Sequence, residues 1–184
     1  MPQETRNWPL ESYREYLCSL ARLRLKAFPN GALDPSDVVQ QALLKAQKHR
    51  AQFRGEGENE LQWRAYLRRI LATTLADAIG DLPQERAIQE SLDRSSARLE
   101  ALLAAEQSSP SRKVQREELL LQLTDALSRL SEDERTALEL RYLQEPPWSL
   151  EEIAKHLNRP SAKAVAGLLA RGLKRLRGLL RDPN

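Results

Sequence analysis

From Ile153 to Arg181 the chain carries eight lysines and arginines and no aspartate or glutamate. They offer a row of fixed positive charges, and a phosphate backbone is the polyanion such a row neutralises best. A charged stretch is more often a solvated helix face than a binding site, so the elements around it must be read as well. Ser149-Leu150-Glu151-Glu152 has the form of a capping box and opens a short helix, Leu150–Leu157. Asn158-Arg159-Pro160 makes a turn, and Ser161 is the natural N-cap of a last helix from Ala162 to about Leu180. Short helix, tight turn and longer helix is the shape of a DNA-binding helix-turn-helix. Leu150, Ile153, Ala154 and Leu157 line the first helix; Val165, Leu168, Leu169, Leu173 and Leu176 line the second. Ala154 is small where two helices crossing near a right angle need a small residue. Lys163 falls in the first turn of the last helix, within reach of base edges, whereas Arg171, Lys174 and Arg175 fall where the helix leaves the groove and meets phosphates. Ala162, Ala166, Gly167 and Ala170 are small, so readout would rest on Lys163, thymine methyls and DNA shape. A helical hairpin with a solvated basic face is the competing reading.

Other chemistry is scarce. The two histidines, His49 and His156, are far apart, and there is no Gly-rich phosphate loop, nucleophile elbow or metal-ligand cluster. No enzymatic activity, cofactor or metal is expected. The single cysteine, Cys18, excludes an internal disulfide and a cysteine-based zinc site; between Leu17 and Leu20 it reads as a buried core thiol. Arg64 and Arg68 lie one helical turn apart, so both could face one nucleic-acid strand, while Trp63 and Tyr66 fall in an apolar stripe and read as core rather than stacking platforms.

The elements that must position these residues are helical. Good helix formers dominate the 184 residues, glycine is limited to seven, and clusters of strand-forming residues are missing. An all-α fold follows. Three helices are expected first: about Leu10–Ala27, stopped by Pro29-Asn30-Gly31; one starting near Pro35 with Asp34 as N-cap and Asp37 in its first turn; and, after the loop Gly55–Asn59, about Glu60–Ile79, stopped by Gly80 and Pro83. Residues 84–112 read as a thinly packed tether with an acidic, helix-prone piece, Leu92–Glu106, followed by the breaker Gln107-Ser108-Ser109-Pro110-Ser111. A helix from about Arg112 to Leu130 and a second capping-box helix, Ser131 to about Leu143, precede the helix-turn-helix. Charge follows this division: 12 basic and 10 acidic side chains over 1–82, 7 and 11 over 83–134, 10 and 5 over 135–184. The start, Met1-Pro2-Gln3-Glu4-Thr5, has no basic-then-apolar leader pattern, and no run is long and apolar enough to span a bilayer. A cytoplasmic location without membrane attachment is expected.

The blocks, in this order and spacing, resemble extracytoplasmic-function sigma factors of the sigma-70 family over nearly the whole chain. Asp34-Pro35-Ser36-Asp37-Val38-Val39-Gln40-Gln41-Ala42-Leu43-Leu44-Lys45-Ala46 resembles the family's region 2.2. Phe53-Arg54-Gly55 resembles the end of that block, and Trp63-Arg64-Ala65-Tyr66-Leu67-Arg68-Arg69-Ile70 the start of regions 2.3 and 2.4. Leu130–Arg135, Ser149–Ala154 and Val165–Leu176 resemble region 4.

The resemblance implies an initiation factor that directs bacterial core RNA polymerase to promoters. Asp34, Asp37, Gln40 and Gln41 would dock on the beta-prime clamp helices; without the flanking blocks they read as helix-capping groups and solvated side chains. Arg64, Arg68, Thr73 and Asp77 would engage the −10 element as it melts, and Ser161, Lys163, Arg171, Lys174 and Arg175 would read the −35 element in double-stranded DNA. The implied organisation is a region 2 domain over 1–84, a flexible linker over 85–112 and a region 4 domain over 113–184, with room for an anti-sigma partner. Departures are visible. Ala72-Thr73-Thr74 stands where the family often has Ala-Arg-Asn, the usually Arg-rich stretch after Asp77 reads Ala78-Ile79-Gly80-Asp81-Leu82, and Leu168 replaces a frequent arginine. The turn Asn158–Pro160 and the loop Gln144–Trp148 are slightly long, so an unusual −35 sequence is expected. Two alternatives stay open: a stand-alone helix-turn-helix regulator and a sigma-like adaptor that binds polymerase without specific DNA binding.

Overall fold

The computed structural model describes residues 9–25, 33–50, 53, 60–80, 85–106, 113–144 and 146–182; among them there are helices and connecting turns and no strand. The turn Pro29-Asn30-Gly31, the loop Gly55–Asn59, Pro83 and the breaker Gln107–Ser111 lie outside the described residues. The chain divides into two compact units, Met1–Arg94 and Ser95–Asn184.

In the first unit a single 3-10 turn, Leu10–Tyr13, leads into α1 (Arg14–Leu25), followed by α2 (Pro35–Lys48) and α3 (Glu60–Ile79). Each of the three packs on the other two. α1 is the most enclosed: every residue from Tyr16 to Ala21 is buried, Cys18 included. α2 starts as its sequence dictates. The Asp34 carboxylate accepts from Ser36 N–H at 2.7 Å, and Pro35, which has no N–H to leave unsatisfied, takes the first helical position. Val38, Val39, Ala42, Leu43 and Ala46 form its buried stripe. α3 buries Trp63, Leu67, Leu71 and Leu75 and ends at Gly80, whose φ of +75° is the left-handed conformation glycine adopts without cost.

The segment expected to be a thinly packed tether is helical from Glu85 to Glu106. This helix, α4, buries Ile88, Leu92, Ser95, Ser96 and Leu99. The stripe was hard to see in the sequence because two of its positions are serines, small enough to pack but counted as polar. The boundary between the units falls inside α4. Its first half is tied to α3: Arg68 Nε donates to Asp93 Oδ1 at 2.6 Å and the Thr73 hydroxyl donates to Glu85 Oε1 at 2.7 Å.

The second unit continues with α5 (Lys113–Ser128), α6 (Glu132–Leu138), α7 (Leu150–His156) and α8 (Ala162–Arg181), and α8 packs on α5, α6 and α7. Its core holds Leu120, Leu123, Leu127, Leu138, Ile153, Val165 and Leu176. Both expected capping boxes are closed, Ser131 with Glu134 and Ser149 with Glu152. Beyond Leu138 the expected α-helix widens into a π-helical turn, Glu139–Leu143, closed by Gln144 N–H to Glu139 O at 3.0 Å. The loop that follows folds back on it: Trp148 N–H donates to Leu140 O at 3.0 Å and Arg141 Nη1 donates to Trp148 O at 2.9 Å.

α6 and α8 approach closely at Gly172. A Cβ there would stand 3.4 Å from Glu134 Cβ and 3.4 Å from Leu138 Cδ1, whereas one at Gly178 would meet nothing within 4 Å. Glycine inside a helix costs about 0.5–1 kcal/mol relative to alanine. Gly178→Ala should therefore raise the unfolding free energy by about that amount, and Gly172→Ala should gain little or lose, because α6 must give way. Urea denaturation followed by Trp148 fluorescence, with Trp8 and Trp63 replaced by phenylalanine, measures both. Equal stabilisation by the two would contradict the close approach.

Candidate nucleic-acid interface

α7, the turn and α8 form the helix-turn-helix. α7 closes with Asn158 at φ +50°; Arg159 N–H donates to Ala154 O at 2.8 Å and Asn158 N–H to Lys155 O at 3.3 Å. This pair of bonds is a Schellman ending with asparagine in the left-handed position. The chain then turns sharply and Ser161 caps α8, its hydroxyl oxygen accepting from Ala164 N–H at 3.2 Å. Ile153 and Ala154 are buried at the crossing with α8; Leu150, Leu157 and Leu173, expected in the apolar lining, are half-buried.

α8 has two faces. Val165, Leu168, Leu169, Gly172 and Leu176 are buried, while Lys163, Ala166, Ala170, Arg171, Lys174, Arg175, Arg177 and Arg181 are exposed. Among the described residues Lys163, Arg171 and Lys174 have no acidic partner. Arg171 reaches further forward than its position implies. Its Nη1 lies 3.4 Å from where a Cβ would stand on Gly167, so the guanidinium folds back one turn toward the start of α8 and toward Lys163. Arg175 differs: its Nη1 donates to Glu134 Oε2 at 2.8 Å, and Glu134 is buried. Arg159, in the turn, pairs with Asp133. The sequence grouped Arg175 with the phosphate-facing cations because its partner stands on another helix.

In the first unit Asp37, Gln40 and Gln41 are exposed on α2, and Leu44, one turn on, is 52% exposed. Leu44 was missed, although it falls outside the buried stripe by helical spacing alone. Asp34 is exposed too, but its carboxylate is engaged in the cap.

The residues expected at a melted strand are placed differently. Arg64 is 4% exposed. Arg68 is bonded to Asp93 and, through Nη1 at 3.0 Å, to the Tyr16 hydroxyl. Burial lowers the Arg68 pKa, and Tyr16 and Asp93 outweigh that, leaving it above the ordinary arginine value. The one-turn spacing does put Arg64 and Arg68 on one face, but it is the face that continues through Leu71 and Leu75 into the core. The expectation that both present to a strand is not met. Thr73 is engaged by Glu85, and Asp77 accepts from Lys45 Nζ at 2.7 Å in an exposed pair. Trp63 and Tyr66 stack at 5.4 Å, and Phe53 closes the cluster at 5.1 and 5.0 Å from them. Trp63 is buried and Tyr66 half-buried; burial raises the Tyr66 pKa.

Among the described residues no group of three or more His, Cys, Asp or Glu could hold a metal ion, and no helix is long and apolar enough to cross a membrane.

Residues 126–178 match the family model described as sigma-70, region 4. The match runs from the last turn of α5 through α6, the π-helical turn and α7 into most of α8, and takes in the helix-turn-helix. The second unit thus contains a sigma-70 region 4 domain, and the helix-turn-helix lies within it. No curated protein matches the chain.

The Glu152 carboxyl is held below its ordinary pKa, first by the Ser149 backbone N–H at 2.7 Å and then by the Ser149 side chain. A carboxyl depressed in the folded state stabilises above its unfolded pKa, and that contribution is lost as pH falls through the folded value. Acidification through the carboxylate range should therefore weaken the α7 cap in the wild type and less so in Glu152→Gln. Urea midpoints followed from neutral pH downward should converge between the two. Parallel curves would show that the cap does not titrate.

Proposed function

We propose that the chain is a promoter-specificity factor for bacterial RNA polymerase, a sigma factor of the extracytoplasmic-function kind. On this reading α8 reads the −35 duplex, and the first unit docks on the polymerase beta-prime clamp helices and engages the −10 element. The observation that carries the proposal is the coincidence of the region 4 match with a helix-turn-helix whose outer face holds Lys163, Arg171 and Lys174 without acidic partners.

Lys163 and the folded-back Arg171 supply donors toward base edges, and Lys174 supplies charge to phosphate. Ser161, exposed and capping, keeps its hydroxyl hydrogen for a phosphate. In the first unit Asp37, Gln40, Gln41 and Leu44 lie on one exposed face of α2, and three polar side chains beside one apolar side chain suit a helical partner. With Arg64 and Arg68 engaged inward, the −10 strand falls to Arg69 and Asp77, exposed on α3, and to the half-buried Thr73 between them at helical spacing. The inward turn of Arg64 and Arg68 favours two competing readings, a stand-alone regulator that uses α8 without melting a −10 element and a sigma-like adaptor that binds polymerase without specific DNA binding.

Purified chain mixed with sigma-free core polymerase should start transcripts from a subset of promoters drawn from a random library. Duplex binding without any promoter-dependent transcript would favour the regulator. Asp37→Lys with Gln40→Ala should weaken core binding in a fluorescence titration while leaving duplex DNA binding intact; unchanged core affinity would remove α2 from the interface. Lys163→Ala should change the selected −35 sequence, since a good base contact is worth about 1–3 kcal/mol of discrimination. Lys174→Ala should lower affinity almost evenly across sequences. If Lys174→Ala rewrites the motif and Lys163→Ala leaves it untouched, α8 docks in another orientation.

A further inference from the structure

Glu134 sits at the third position of α6 and meets α8 in two places. Its Oε2 accepts from Ser131 N–H at 3.3 Å, from the Ser131 hydroxyl at 2.9 Å and from Arg175 Nη1 at 2.8 Å. Its aliphatic stem faces Gly172, where a Cβ would stand 3.4 Å from Glu134 Cβ and 3.7 Å from Cγ. Gly172 and Arg175 are neighbours on one face of α8, three residues apart. One buried side chain thus closes the α6 cap with its carboxylate, pairs with α8 through the same oxygen, and leaves room for close approach with its stem.

The capping function alone does not need the charge. Glutamine fills the third position of a capping box as glutamate does. Nor does packing alone call for an ion pair, because apolar groups of similar volume hold two helices together at least as well. What the pair adds is a defined mutual position: an arginine fork meets a fixed carboxylate in few geometries. Position matters here because Lys163 lies nine residues before Gly172, about 14 Å along the helix at roughly 1.5 Å per residue. A small pivot at the α6 contact is magnified at the first turn.

We infer that Glu134 is a positioning residue for DNA reading, which through Arg175 and Gly172 sets α8 on α6, so that Arg175 serves the fold and not the phosphates. The inference rests on the reading of α8 as the DNA-binding helix. It separates Arg175 from the other cations of α8, a distinction that neither charge nor exposure makes.

The test uses the full chain and a random-sequence DNA duplex, with affinity measured across salt concentrations. Each phosphate contact contributes about 0.9 to the slope of log affinity against log salt. Lys174→Ala should lower the slope by about 1, and Arg175→Ala should leave it unchanged. Glu134→Gln should release Arg175 and raise the slope by about 1, and the double variant Glu134→Gln/Arg175→Ala should return to the wild-type slope. The double variant leaves no stranded buried charge, so it decides the matter even if Arg175→Ala alone fails to fold. Binding-site selection supplies the second readout. Glu134→Gln and Arg175→Ala should each broaden the motif that the wild type selects, and Arg175→Lys, which keeps a cation beside Glu134, should broaden it less. A slope that falls by about 1 in the double variant would overturn the positioning role while leaving α8 as the DNA reader. Wild-type chain without salt-dependent duplex binding would overturn both.

Discussion

Helix α8 must keep one face dry and the other charged over twenty residues that contain no acid. The charged face works against the helix: Arg171 and Arg175, and Arg177 and Arg181, stand four apart, and like charges at that spacing cost about 0.2–0.5 kcal/mol per pair. The dry face outweighs them. Val165, Leu168, Leu169 and Leu176 are buried, each worth about 1.5–3 kcal/mol. The balance explains why α5, α6 and α7 all converge on α8, and why a carboxylate from α6 is spent on Arg175. The second unit is built to hold a cationic helix at its surface in a fixed attitude, as a helix-turn-helix requires.

Much of this was legible because it is local. The capping boxes Ser131/Glu134 and Ser149/Glu152 are closed by groups three residues apart, and the Ser161 cap by groups equally close. Apolar spacing along α8 gave its inner face. The rest depends on partners outside the same helical turn, some of them far along the chain. The π-helical turn Glu139–Leu143 is shaped by the bonds of Arg141 and Leu140 to Trp148. Arg175, though exposed, is paired by a residue 41 positions earlier. No window of sequence contains both members of that pair.

The first unit shows the same limit. Periodicity put Arg64 and Arg68 on one face but did not say which, and the neighbours that settle it are Tyr16 on α1 and Asp93 on α4. Counting only large apolar side chains undervalued α4, whose stripe runs through Ser95 and Ser96. On α2 the exposed face holds Asp37, Gln40 and Gln41 and also Leu44, which falls outside the buried stripe and which no local pattern marks as a contact. If that face docks on polymerase, Leu44 gives it the apolar contact that Asp37 and the two glutamines lack.

On the proposed function, α8 reads a promoter element while the chain is bound to RNA polymerase. Photo-crosslinking from Ala166, exposed on the outer face of α8, tests it most directly, in a complex of the full chain with core polymerase on a promoter selected from a random library. The account predicts a crosslink to the −35 element that requires the polymerase for full yield and disappears when that element is scrambled. A crosslink that is absent, or that persists unchanged on scrambled DNA, would contradict it.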